Sequence, residues 1–338
     1  MPLQQFDAAI ELQLSIMRAD AGIRYDVIQL LKKLEKELIA KVAEGDYTTW
    51  GKARIAKQLS EIAVIIRTYY DSAAGIAIDS TTTIAQVSAT ATANALSVGA
   101  QAGIIPSEAM LTKLVGNALV QGAAQRAWWD RQSQDTTWKF SQAVRQGIVG
   151  GETNQQIIKR VRTTMDISRR NAAALVQTSV QTVANEARME TFKANEDLIA
   201  SYQFVSALDS HTCEICGARD GLKWDTNYEP IGHSLRFANP PLHINCRCVC
   251  IVNTKSWQDL GVTGMPEFKL GSRASTGGQV SGSTTFEGFL SRQSDAFKTE
   301  VLGKGRAELF SAGKITLQDL VTGTGRPIPL STLRAKYG

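Results

Sequence analysis

The sequence predicts a mainly α protein: a multi-helix N-terminal region, then a small Cys/His-rich β-hairpin module, then an extended C-terminal arm. Three observations carry that prediction. Apolar residues recur at helical spacing through roughly the first 195 residues, with almost no strand signal. All five cysteines and all three histidines fall between His211 and Cys250. A Gly/Ser/Thr-rich stretch, 269–285, then separates this cluster from a weakly helical tail.

The elements follow in order. Ile10, Leu14, Met17 and Ala21 form one helical stripe, and Val27, Leu31, Leu34 and Leu38 a second that stops at Gly45. Ile55, Leu59, Ile62 and Ile66 repeat the pattern. The Ala/Thr-rich segment 81–103 reads as a helix packed through small residues and ends before Ile105-Pro106. Ser107 is placed to cap a helix carrying Met110, Leu111 and Leu114. The next helix holds Trp128, Trp129 and Trp138, read as core or interface anchors, and reaches Gly147. Thr153-x-x-Gln156 is a capping box that opens a short helix through Ile157, Ile158 and Val161. A long helix from about Ser168 to Asn195 carries Val176, Val180, Val183 and Ala187 on one stripe. Residues 202–208 alternate as a short strand. The predicted division is 1–125, 126–200, 201–255, a flexible linker over 256–285, and an arm over 286–338.

Composition bounds the function. Hydrophobic residues at 43% allow a substantial core, and the formal net charge of +5 does not announce a nucleic-acid binder. Residues 126–193 hold eleven Lys and Arg against six Asp and Glu. That stretch is either a solvated helical face or a contact for nucleic acid or an acidic partner. No basic segment followed by an apolar run opens the chain, and the uncharged stretch 80–107 lacks the sustained Leu/Ile/Val content of a spanning helix. Stable membrane insertion is therefore not expected, and a cytoplasmic site of synthesis is.

The cluster reads Cys213-x-x-Cys216, then His243-x-x-Cys246-Arg247-Cys248-x-Cys250. A Cys-x-x-Cys turn brings two soft donors to one ion, and a second pair from the other arm of a hairpin completes a tetrahedron, a donor set that suits Zn2+. The predicted ligands of this zinc knuckle are Cys213, Cys216, His243 and Cys246. Cys248 is the main competitor for the fourth position and Cys250 a weaker one. An odd cysteine count argues against a disulfide framework. With so few apolar residues of its own, the module is expected to draw much of its folding free energy from the metal. Asp209 and Arg247 flank the two knuckles and are expected to pair.

One ordered string carries a resemblance. It runs from Leu175-Val176-Gln177-Thr178-Ser179-Val180 and Asn185-Glu186-Ala187-Arg188 through Ala207-Leu208-Asp209 and Thr212-Cys213-Glu214-Ile215-Cys216, then Asp220-Gly221, to Pro241-Leu242-His243-Ile244-Asn245-Cys246-Arg247-Cys248. This string, over roughly residues 150–255, resembles the phage Mu F-like head-morphogenesis family, the minor head proteins of tailed bacteriophages. The resemblance implies a non-enzymatic virion protein, in several copies per particle, at the portal vertex inside the capsid. Its partners would be the portal protein, other head proteins and the packaged double-stranded DNA, and its roles assembly, DNA packaging or genome ejection. On this reading the linker lets Lys298, Lys304 and Arg306 of the arm dock on a neighbour. Two alternatives remain: a zinc-supported nuclease of treble-clef type, with His233 as base and Asp209 or Asp225 as ligand, and a DNA-binding adaptor using the basic segment.

Overall fold

A computed structural model describes residues 2–45, 47, 49–97, 102–256, 258–260 and 271–338, with the backbone alone for 2–6. The chain divides into two compact units. One is built from residues 1–15, 85–111 and 184–338, the other from 16–84 and 112–183.

The second unit is helical apart from one two-residue hairpin. It contains most of α1 (Pro2–Ala43) and α2 (Lys52–Leu96), the end of α3 (Glu108–Asn117), the hairpin β1 (Leu119–Val120) and β2 (Ala123–Ala124), α4 (Gln125–Val149), and the first three quarters of α5 (Asn154–Ala194). Val27, Leu31, Leu34 and Leu38 are all fully buried, as their spacing predicts. The capping box forms: the backbone N–H of Thr153 donates to Gln156 Oε1 at 2.8 Å. The buried Tyr70 hydroxyl bonds Thr136, which in turn bonds Ser168 at 3.0 Å, so these three hydroxyls satisfy one another.

Two expectations for the helices are corrected. The segments read separately over 10–21 and 27–38, over 55–66 and 81–103, and over 153–161 and 168–195 join, and α1, α2 and α5 run unbroken for 42, 45 and 41 residues. None of those stretches contains a proline, so nothing in them stops a helix once flanking turns are packed. The buried face near the start of α1 is Leu12, Gln13 and Ile16, while Leu14 is exposed. A stripe read from apolar residues alone missed that a polar side chain, Gln13, takes an inward position. Residues 98–101 of the Ala/Thr-rich segment lie outside the described residues.

The first unit is mixed. Its four-stranded antiparallel sheet has the order β5 (Pro230–Ile231), β4 (Lys223–Trp224), β3 (Ile199–Val205), β6 (Val249–Thr254). The short helix α6 (Glu214–Gly217) joins β3 to β4. Beyond β6 come a hairpin of β7 (Ser272–Ser275) with β8 (Gly278–Ser281), then α7 (Phe286–Ser291), α8 (Asp295–Leu302), α9 (Lys304–Ser311) and α10 (Leu330–Tyr337).

The predicted linker and arm are corrected here. Residues 261–270 of the linker lie outside the described residues, but 272–281 pair as β7 and β8. The tail folds back: Phe286, Phe289, Leu290, Leu309, Phe310, Leu317 and Leu320 share one apolar core with Phe204, Trp224, Cys216, Cys246 and Cys248. The physical reason is the composition of both parties. The Cys/His segment has too little apolar surface for a core of its own, and the tail supplies it. Gly217 marks a close approach, since a Cβ there would lie 2.6 Å from the Phe286 ring.

No helix among the described residues is long and apolar enough to cross a membrane.

Candidate metal centre

Cys213 ends the loop after β3 in an extended conformation and Cys216 sits within the single turn of α6, so one helical turn sets their spacing. The Gly217 N–H donates to Cys213 O at 2.8 Å and closes the knuckle. The second arm turns back at His243-Ile244-Asn245-Cys246. There Asn245 takes a left-handed φ of 62° that its short amide tolerates, and the Cys246 N–H donates to His243 O at 3.2 Å. His243 Nδ1 is 2.8 Å from the Ile244 carbonyl, a bond that puts a proton on Nδ1 and leaves Nε2 as the ring atom that could take a metal.

The donor atoms converge. His243 Nε2 lies 3.2 Å from Cys213 Sγ and 3.3 Å from Cys216 Sγ, and Cys216 Sγ lies 3.8 Å from Cys246 Sγ. They form two triads that share Cys216: Cys213, Cys216 and His243, and Cys216, Cys246 and Cys248. Within each triad the donor atoms lie within 4.8 Å of one another, so either could hold a metal ion. Cys250 stands apart on β6. It packs with Leu96, Met189, Phe192 and Tyr202, and burial pushes its thiol up to about 12.

The cluster is strongly polarised. The hydrogen bond with Cys216, aided by His243, holds Cys213 down to about 4 against burial. Hydrogen bonds with Cys213 and Cys246 raise His243 to about 11. Cys246 is driven far below its ordinary value by Cys216 and Cys248, and Cys216 is pushed up by Cys213 and Cys246. Cys216 pulls the Cys248 thiol down, but Cys246 and burial leave it raised.

Two arginines bracket the sulfurs. Arg247 forms the predicted bidentate pair with Asp209, both bonds at 2.6 Å. Burial would raise Asp209, but the guanidinium holds its carboxyl below the usual range. Arg219 is 3% exposed and donates to the Arg236 carbonyl at 3.1 Å; burial lowers its guanidinium, and the nearby Cys216 sulfur partly offsets this. Helix side chains hold the second knuckle from behind. Gln13 Nε2 donates to Arg247 O at 3.2 Å and Asn185 Nδ2 to Cys248 O at 3.3 Å. Arg188 donates to the oxygens of both amides, which turns their NH2 groups toward those carbonyls.

Residues 138–251 match the family model described as Phage Mu protein F like protein. The resemblance read from residues 150–255 thus holds over a closely similar stretch. No curated protein and no solved structure matches the chain. The Mu F-like segment takes in the second half of α4, all of α5, the sheet except its last residues, and every candidate ligand.

Sequence reasoning singled out Asp220-Gly221 but missed the pairing of Asp220 with Arg273, which locks the Mu F-like segment to the hairpin that follows it. Asp220 Oδ1 accepts from Ser206 N–H and from Arg273, both at 2.6 Å, and Oδ2 accepts from Phe286 N–H and Arg273. Both side chains are almost fully buried. The signal was available: Arg273 is the lone charged residue between 271 and 285.

Proposed function

We propose that the chain is a minor head protein of a tailed bacteriophage, a structural subunit at the portal vertex inside the capsid. The observation that carries this reading is the family match over residues 138–251. Its partners on this reading are the portal and other head proteins, with packaged double-stranded DNA as a further contact and several copies in each particle. Contributions to assembly, packaging or ejection follow from that location.

The metal on this reading is structural Zn2+, held by Cys213, Cys216, His243 and Cys246. Tetrahedral zinc with mixed ligands needs S···S edges of about 3.8 Å and S···N edges of about 3.6 Å. The Cys216–Cys246 edge meets the first, and the two edges to His243 fall a few tenths of an ångström short of the second. Charge supports the same set. Three thiolates and one imidazole on a divalent ion leave one negative charge. Asp209 already neutralises Arg247, so the buried Arg219 guanidinium matches that single charge. Cys248 then stays a thiol beside the site. Bound zinc would clip the two knuckles together.

The groups a nuclease would use are occupied otherwise. His233 Nε2 donates to Lys223 O at 2.8 Å and Nδ1 accepts from Leu235 N–H. Asp209 is committed to Arg247, and Asp225 accepts from Asn227 and Glu229 N–H in its own turn. In the basic segment Arg126, Arg131, Arg160, Arg169 and Lys193 pair with carboxylates, which favours a solvated helical face over a DNA track.

The test is particle association. Sedimentation of procapsids assembled with portal should carry the full-length chain at a fixed low copy number, and procapsids lacking portal should lose it. A chain absent from portal-containing particles would overturn the assignment.

A further inference from the structure

The structure assigns a second ligand site to the first unit: a cavity against Arg188 that holds a small monovalent anion of the halide class. Arg188, on α5, is 2% exposed. Its two hydrogen-bond partners, Asn185 Oδ1 at 3.3 Å and Gln13 Oε1 at 3.2 Å, are neutral amides, and its Nε–H has no protein partner. Among the described residues no carboxylate pairs with it. A guanidinium removed from water without a counter-charge costs several kcal/mol, so a site of this kind favours an anion.

The protein leaves room for one. A cavity of about 30 Å³ opens beside Arg188, walled by Ala9, Ala95, Leu96, Phe192 and Val252; it has no carboxylate in its lining, and its one acidic group is the Cys250 thiol, which burial raises to about 12. That volume suits an object the size of one or two waters. Thr92, whose hydroxyl can donate, lines the same cavity and is itself buried. Positive charge, donor groups, apolar walls and small size together select a weakly hydrated monoanion over phosphate, sulfate or a longer carboxylate. This site is separate from the Cys/His donors and does not depend on the reading of the chain as a head protein.

The bound anion neutralises the residue that orients Gln13 and Asn185, and therefore steadies the backbone of Arg247 and Cys248. The test uses the full chain as purified. Its melting is followed by near-ultraviolet circular dichroism at constant ionic strength as sodium gluconate is exchanged for sodium chloride or bromide. The melting temperature of the first unit should rise saturably, by roughly 3–6 °C at tenfold excess over the dissociation constant. Arg188→Met should abolish the difference between salts. Ala95→Leu, which fills the cavity and keeps Arg188 with both amides, should abolish it as well, and reports on the site if the arginine variant does not fold. Crystals grown in bromide should show an anomalous peak within hydrogen-bonding distance of the guanidinium. Equal melting curves in gluconate and halide, or a halide effect that survives both substitutions, would overturn the site.

Discussion

The two units are stabilised by different physics. The unit formed by 16–84 and 112–183 is held by long apolar stripes, such as Val27 to Leu38, in which each buried side chain contributes a little and no single one decides. In the unit formed by 1–15, 85–111 and 184–338, a few irreplaceable contacts hold short elements together: the Cys/His donors, Asp220 with Arg273, and Asp209 with Arg247. Distributed burial tolerates volume-conserving substitution, whereas a convergent set of polar groups tolerates no loss of a partner.

The largest expected effect comes from removing the proposed zinc. Chelation, or Cys213→Ser, should lower the stability of the mixed unit, tail included, by on the order of 10 kcal/mol or less, since the tail shares its core. Helicity of the other unit should persist. A single melting transition that loses both units together would break the comparison.

Next is the buried ion pair. Asp220→Asn leaves Arg273 uncompensated and should cost about 3–5 kcal/mol, while the double variant with Arg273→Met should recover part of that loss. A denaturant titration of the three proteins measures it, and a double variant as unstable as the sum of the singles would remove the coupling. Leu34→Ala, in the helical unit, should cost about 2–5 kcal/mol with no change in metal content.

The smallest effect is a pH dependence. Burial, reinforced by Glu190, raises Glu186 from 4.5 to about 7. The folded protein therefore holds its proton more tightly than the unfolded chain does. That contribution is present below pH 4.5 and is lost as pH rises to about 7. Glu186→Gln should flatten the profile and stabilise the mixed unit above pH 7 by about 1–2 kcal/mol, a value reduced for partial exposure. Unchanged pH profiles for the two proteins would contradict this.

Much of the helical unit was legible because burial there follows a period: Val27, Leu31, Leu34, Leu38, Val176, Val180 and Val183 are all buried where spacing put them. Helix continuity was not, because polar stretches such as 67–72 look like ends until their packing is known. At the candidate site, the donors, the Asp209–Arg247 pair and the capping turns come from local spacing. The roles of Gln13, Arg219 and Arg273 depend on contacts far apart in the chain, which no local pattern encodes. The tail was misread for the same reason: its apolar residues, few in each short helix, are core residues only once the Cys/His segment is beside them.

The most direct measurement of the central claim is metal content with X-ray absorption at the zinc edge, on full-length protein from metal-replete expression. The predicted result is one zinc per chain with three sulfur neighbours near 2.3 Å and one nitrogen near 2.0 Å, unchanged in Cys250→Ser and lost in Cys213→Ser. Well under half an equivalent of zinc, or a first shell without sulfur, would contradict it.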